Sequence, residues 1–251
     1  MPPQIISLGP LSFRLYGLIV ALAFLVGILL ARNRARIYKI TKEHVDEVVL
    51  VLAIPVLVGA RLYHILDFWD YYSQNPEKII AFWEGGIGIY GALIFGTAAL
   101  FIYTKVKNLS FLSFADLLAP SVALAQAIGR LGNFFNLEGF GPPTNLPWKV
   151  FVPEDKRPEA FANFQYFHPT FFYEAILNFS IFLTLIYLAK RKHPGGFVAV
   201  SYVILYSGVR FLLEFLRLDT WVVFQFKVAQ IIAIVSIVLA IFFLYRIRKN
   251  Q

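Results

Sequence analysis

The sequence predicts an all-α integral membrane protein of seven transmembrane helices, its N-terminus outside and its C-terminus in the cytoplasm. Three observations predict it. The 251-residue chain is 59% hydrophobic and 17% aromatic, with a mean hydropathy of +0.67, well above soluble usage. It holds seven apolar stretches long enough to cross about 30 Å of hydrocarbon at about 1.5 Å per helical residue. Its basic residues fall unequally on alternate connections.

The stretches run over 11–31, 45–66, 86–104, 112–128, 170–189, 196–215 and 227–245. The first has no basic region ahead of it, and Arg32, Arg34, Arg36, Lys39 and Lys42 follow it. It therefore reads as a retained span rather than a cleaved leader. On the same side fall Lys105, Lys107, Lys190, Arg191, Lys192, Arg246, Arg248 and Lys249, against only Lys78, Lys149, Lys156 and Arg157 on the other. Basic residues collect on the cytoplasmic side of membrane proteins, which sets the orientation. The remaining basic residues, Arg14, Arg61, Arg130, Arg210, Arg217 and Lys227, lie in or at the ends of spans. The whole of 1–251 reads as one transmembrane domain, with two outer-side segments at about 67–85 and 137–169 expected to lie as amphipathic pieces on the membrane surface.

Composition also excludes function classes. A net charge of +8 could suggest nucleic acid, but these basic residues punctuate apolar segments instead of covering a polar face, so no nucleic-acid partner is expected. With no cysteine the chain has no disulfide, thiolate metal site or thiol nucleophile. Its four histidines lack metal-ligand spacing, so no metal and no cofactor is expected. No internal repeat of the transporter kind is visible.

The most polar cluster follows an apolar run: "GRLGNFFNLEGFG", residues 129–141. Charges inside a span cost a few kcal/mol, so they mark interior cavities and find partners. Arg130, Asn133 and Glu138 share a face if the helix continues, while Gly139, Gly141, Pro142 and Pro143 end it. This reads as the floor of a polar cavity for an anionic head group. In "GVRFLLEFLR", residues 208–217, Arg210, Glu214 and Arg217 fall on one helix face with surplus positive charge. Arginine binds phosphate oxygens bidentately, so Arg130 and Arg210 together could hold one phosphodiester. Alternatively Arg210 and Glu214 are only a buried ion pair and Arg217 snorkels to the interface. Taken alone, Tyr16 reads first as a belt tyrosine, and His168, before Pro169, as a cap or surface residue.

The cluster resembles the signature of the bacterial prolipoprotein diacylglyceryl transferases, G-R-x-G-N-F-x-N-x-E-x-x-G, at every specified position. Support runs along the chain through "YGL" (16–18), "GAR" (59–61), "YGA" (90–92), "HPTFFYE" (168–174) and "GVRFLLEFLR". The resemblance implies a transferase that moves the diacylglyceryl group of phosphatidylglycerol onto the lipobox cysteine of prolipoprotein signal peptides. A thioether forms and glycerol phosphate is released, as the first step of lipoprotein maturation. It implies the bacterial plasma (inner) membrane and an active site toward its outer face.

Carried across, the family's phosphatidylglycerol-binding residues fall on Arg130, Asn133, Gly141, Arg210 and Tyr16, its essential glutamate on Glu138, and a residue orienting the second arginine on Glu214. Several relatives have a histidine, proposed as general base, where this chain has Tyr90. A phenol gives up its proton less readily than a thiol and cannot take one from it. Tyr90 is therefore expected to position by hydrogen bonding, leaving Glu138, Glu214 and His168 as candidates for the proton. A lipid or small-anion transporter is the alternative reading, disfavoured because transporters set their sites at the midplane between repeats.

Overall fold

The computed structural model describes residues 5–8, 11–218 and 220–249. Among them seven helices are long and apolar enough to cross a membrane: α1 (Leu15–Arg34), α2 (Lys42–Asp67), α4 (Ile89–Val106), α5 (Phe111–Asn136), α6 (Thr170–Leu188), α7 (Phe197–Leu213) and α8 (Val228–Lys249). A short α3 (Trp69–Gln74) follows α2. These are the expected spans, with one extension that matters: the polar cluster after 128 stays helical to Asn136, which puts Arg130 and Asn133 on the last turns of α5.

The chain divides into two compact units, residues 32–114 and residues 1–31 with 115–251. In the first, α2 and α4 meet backbone to backbone. A Cβ added at Gly91 would lie 2.0 Å from the Gly59 carbonyl oxygen, and one at Gly59 would lie 2.5 Å from the Gly91 oxygen. Small residues permit such approach where lipid supplies no hydrophobic drive between helices. Gly91→Ala should therefore lower the unfolding free energy in detergent by about 1–3 kcal/mol, seen as a lower melting temperature. Gly17→Ala, whose Cβ would meet nothing within 4 Å, should lower it not at all.

Arg61 organises the segment that joins α2 to α4. It is buried, and its guanidinium donates to the carbonyls of Ile79 (2.9 Å), Gly85 (2.6 Å), Gly86 (2.9 Å) and Lys78. It also stacks 5.1 Å over the Tyr72 ring. Main-chain dipoles thus solvate a cation taken out of water.

In the second unit α1 runs along α5, with Gly27 against Ser121 near one end and Tyr16 against Gly132 near the other. Ala119, Ala123, Ile181, Leu185, Ala189 and Val198 join α5, α6 and α7 in an apolar core. The start of α7 is capped from another helix: Asp116 of α5 accepts from the N–H groups of Gly196 (2.7 Å) and Ala199 (2.8 Å). An anion at the positive end of a helix dipole satisfies donors that have no intrahelical partner. At the far end, Lys227 Nζ donates to the carbonyls of Glu214 (2.5 Å) and Arg217 (3.4 Å).

Segment 137–169, expected as amphipathic pieces, folds instead as a small hairpin with two 3-10 turns. Strands β1 (Val150–Phe151) and β2 (Tyr166–Phe167) pair antiparallel, and the turns span Glu154–Lys156 and Glu159–Phe161. Pro142, Pro143, Pro147, Pro153 and Pro158 remove the donors an α-helix would need. Arg157 closes the loop by donating to Val152 O and Ala162 O, both at 3.0 Å.

Candidate active site

The site grows from the end of α5. Leu137 adopts a left-handed conformation (φ 54°), and the N–H of Glu138 returns to Asn133 O at 3.1 Å. This six-to-one bond is the Schellman closure of a helix. Glu138 therefore lies beyond the helix, exposed, and does not continue the face of Arg130. Its carboxylate accepts from Asn136 Nδ2 at 3.4 Å. Asn133 remains half-buried on the helix.

Arg130 points at α6. Its Nη2 lies 2.7 Å from Glu174 Oε1, and Arg217 Nη1 lies 3.6 Å from Glu174 Oε2, so one buried carboxylate joins two guanidinium groups. Arg217 is thus drawn inward by a counter-ion, not snorkelling. Arg210 Nη2 lies 3.0 Å from Glu214 Oε2, the ion pair that the i, i+4 spacing allows. Its Nη1, however, is buried and has no acceptor among the described residues. Tyr206, one turn before Arg210 on α7, stands beside Arg130 and in the field of Glu174 and Arg210. Arg130 and Arg210 therefore share a neighbour and face the same space.

The pairing decides what this space receives. Among the described residues two carboxylates, Glu174 and Glu214, pair with Arg130, Arg217 and Arg210, and all five groups are largely withdrawn from water. The buried Nη1 of Arg210, with no acceptor among the described residues, calls for an anion with several acceptor oxygens.

The glycines and tyrosine of the motifs shape the walls. The Tyr16 ring covers Gly132, where an added Cβ would lie 3.0 Å from it. Gly141 sits in a crevice between the ends of α6 and α7: a Cβ there would come 2.6 Å from Leu216 O and 2.7 Å from Thr170 Cγ2. Its N–H donates to His168 O at 2.8 Å, and the His168 N–H donates to Pro142 O at 3.0 Å. His168 Nδ1 lies 3.2 Å from the Tyr173 hydroxyl, which accepts from Trp148 Nε1 at 2.7 Å. The imidazole is thus built into the wall of the site.

Of the residues singled out in the sequence, Arg130, Asn133, Glu138, Gly141, His168, Arg210, Glu214 and Tyr16 all fall in this unit. Tyr90 begins α4 in the other unit, exposed, with its ring 5.6 Å from that of Tyr63. Two further residues join the site through space. Glu174 stands in the "HPTFFYE" motif as an acid within the membrane, but nothing in its spacing shows the tie to both Arg130 and Arg217. Tyr206 lies outside every motif. The signal that could have found it is its i, i+4 spacing to Arg210 on the helix face that carries Glu214.

Comparison with known proteins points the same way. The sequence matches the family described as prolipoprotein diacylglyceryl transferase over residues 3–246. The phosphatidylglycerol–prolipoprotein diacylglyceryl transferase of Trichormus variabilis is 42% identical over 95% of this chain and 87% of its own length. That of Thermosynechococcus vestitus is 40% identical over 98% and 92%. That of Fervidobacterium nodosum is 40% identical over 98% and 85%. With seven apolar helices and a match along almost its whole length, the chain is a multi-pass membrane protein that belongs to the prolipoprotein diacylglyceryl transferase family.

Proposed function

We propose that this protein transfers the diacylglyceryl group of phosphatidylglycerol to the lipobox cysteine of prolipoproteins, at the outer face of the bacterial plasma (inner) membrane. The observation that carries the reading is the buried Nη1 of Arg210, without an acceptor among the described residues, on the helix next to Arg130. One phosphodiester would supply its acceptor. The distribution of basic loop residues supports the orientation, and the names of the relatives support both substrates.

In the reaction the substrate's cysteine sulfur attacks the glycerol carbon that bears the phosphate. A C–S bond forms, the C–O bond to phosphorus breaks, and glycerol phosphate leaves. Negative charge then concentrates on the departing phosphate oxygens. Arg130 and Arg210 meet that charge with donors already in place, which lowers the barrier without reorganisation. Asn133 and Tyr16 line the head-group space, and Gly141, by lacking a side chain, lets the wall beside it pack against Leu216 and Thr170. Glu214 orients Arg210 through their ion pair. Of the candidates for the thiol proton, Glu214 is held by Arg210 and His168 by Tyr173. Glu138 is the exposed one, and it is assigned the proton.

The decisive experiment incubates the purified protein with labelled phosphatidylglycerol and a lipobox peptide. Thioether product with stoichiometric glycerol phosphate is the expected result. Lipid movement without product would replace the transferase by a lipid transporter. In the same assay Tyr90→Phe should keep kcat within about tenfold of the parent, the scale of one neutral hydrogen bond. Loss of turnover with lipid binding intact would return Tyr90 to the chemistry.

A further inference from the structure

The site continues inward as a ladder with helical spacing. Below Arg130 on α5, one turn toward the membrane centre, stands Gln126. Below Tyr206 on α7, which meets Arg130, stands Tyr202. Their side chains meet: Tyr202 Oη donates to Gln126 Oε1 at 3.0 Å, and the Tyr202 and Tyr206 rings stack at 5.7 Å. On α6 the residue one turn below Glu174 is Asn178. It is fully buried, and neither of its amide atoms has a hydrogen-bond partner among the described residues. Three helices thus each place a polar side chain one turn beyond Arg130, Tyr206 and Glu174, in hydrocarbon surroundings where polar groups are costly.

The depth of this rung identifies what it meets. Four helical residues rise about 6 Å. The polar layer of a leaflet is about 5–7 Å thick, so a glycerophospholipid places its ester carbonyls about that far below its phosphate. An ester carbonyl is an acceptor. With Oε1 engaged by Tyr202, Gln126 has donors to offer through Nε2, and its half-buried position leaves it reachable.

We propose that the Gln126–Tyr202 rung is an acyl-ester subsite. With a phosphodiester on Arg130 and Arg210, Gln126 Nε2 donates to an ester carbonyl of the diacylglyceryl group, and Tyr202 fixes the amide that does so. The subsite selects ester-linked over ether-linked lipid, because an ether offers no carbonyl at that depth. The inference rests on the phosphatidylglycerol reading of the arginines.

The test compares transfer to a lipobox peptide from diacyl phosphatidylglycerol and from its dialkyl ether analogue, with the full-length protein in detergent. The parent should favour the diacyl lipid in kcat/KM by about five- to tenfold. Gln126→Leu should erase the preference by lowering transfer of the diacyl lipid alone. Tyr202→Phe, smaller by one oxygen, should reduce it in the same direction and supplies the result if Gln126→Leu does not fold. Equal losses for both lipids, or a parent indifferent to the linkage, would overturn the subsite while the transferase reading stands. A parent that transfers neither lipid would overturn both.

Discussion

Replacing Arg130 by lysine is expected to lower kcat/KM for transfer from phosphatidylglycerol by about a hundredfold or more, although the formal charge is kept. In the structure Arg130 Nη2 lies 2.7 Å from Glu174 Oε1, with Tyr206 beside it. A guanidinium can hold the carboxylate and still present N–H groups to a phosphate because its donors spread over a rigid plane. An ammonium concentrates its charge on one atom at the end of a flexible stem. It must choose between Glu174 and the lipid, and at this burial the carboxylate is the nearer anion. The assay is transfer of labelled lipid to the lipobox peptide, with lipid binding measured in parallel. A lysine variant of near-normal activity would remove the bidentate clamp and leave Arg130 only a source of positive potential.

The second large effect is expected at Glu174. Glu174→Gln keeps the shape but leaves Arg130 and Arg217 without their shared counter-ion, so the unfolding free energy in detergent should fall by about 3 kcal/mol. Removing one member of a buried ion group costs more than the group contributes, because the remaining charges stay desolvated. The variant should also respond differently to ligand. Phosphatidylglycerol brings back one negative charge, so its addition should raise the melting temperature of Glu174→Gln more than that of the parent, through tighter binding to the folded state. Equal responses would place the phosphate away from Arg130 and Arg217. An unchanged melting temperature without lipid would mean that the two arginines are solvated by something other than Glu174.

Glu174 thereby acquires a role beyond packing. It occupies part of the positive field that a phosphodiester would use. The same reasoning separates Arg61 from the site arginines. Its donors are spent on four carbonyls, and its work is to hold the connection between α2 and α4. Intramembrane arginine is thus not by itself a mark of chemistry in this chain. The partner type distinguishes the cases: main-chain carbonyls for Arg61, carboxylates for Arg130, Arg210 and Arg217, with one buried donor of Arg210 left over among the described residues.

Much of this architecture is legible in the sequence. The seven spans follow from apolar length alone, since a helix in lipid must satisfy its own backbone and needs nothing from its neighbours to do so. The motif residues Arg130, Asn133, Gly141 and Arg210 stand out because the polar ones among them sit where polarity is expensive, and the glycine ends a motif. Local geometry is less legible. Gly139 advertises the end of α5, yet the chain turns at Leu137, a residue with no propensity for the left-handed region, and this takes Glu138 off the helix face. Propensity does not announce the turn, which is fixed by the return of the Glu138 N–H to Asn133.

Apolar length and composition alone say that the chain lives in a bilayer, how many times it crosses, and which charges it carries there at a cost that demands a reason. How those charges are paired emerges only when the helices pack. Arg130 and Glu174 are 44 residues apart and meet because α5 and α6 share the core built on Ala123 and Ile181; Asp116 likewise caps a helix whose N-cap, Gly196, lies 80 residues later. Helix formation is a local event recorded in neighbouring residues, whereas ion pairing depends on distances through space, and those exist only once the helices have packed.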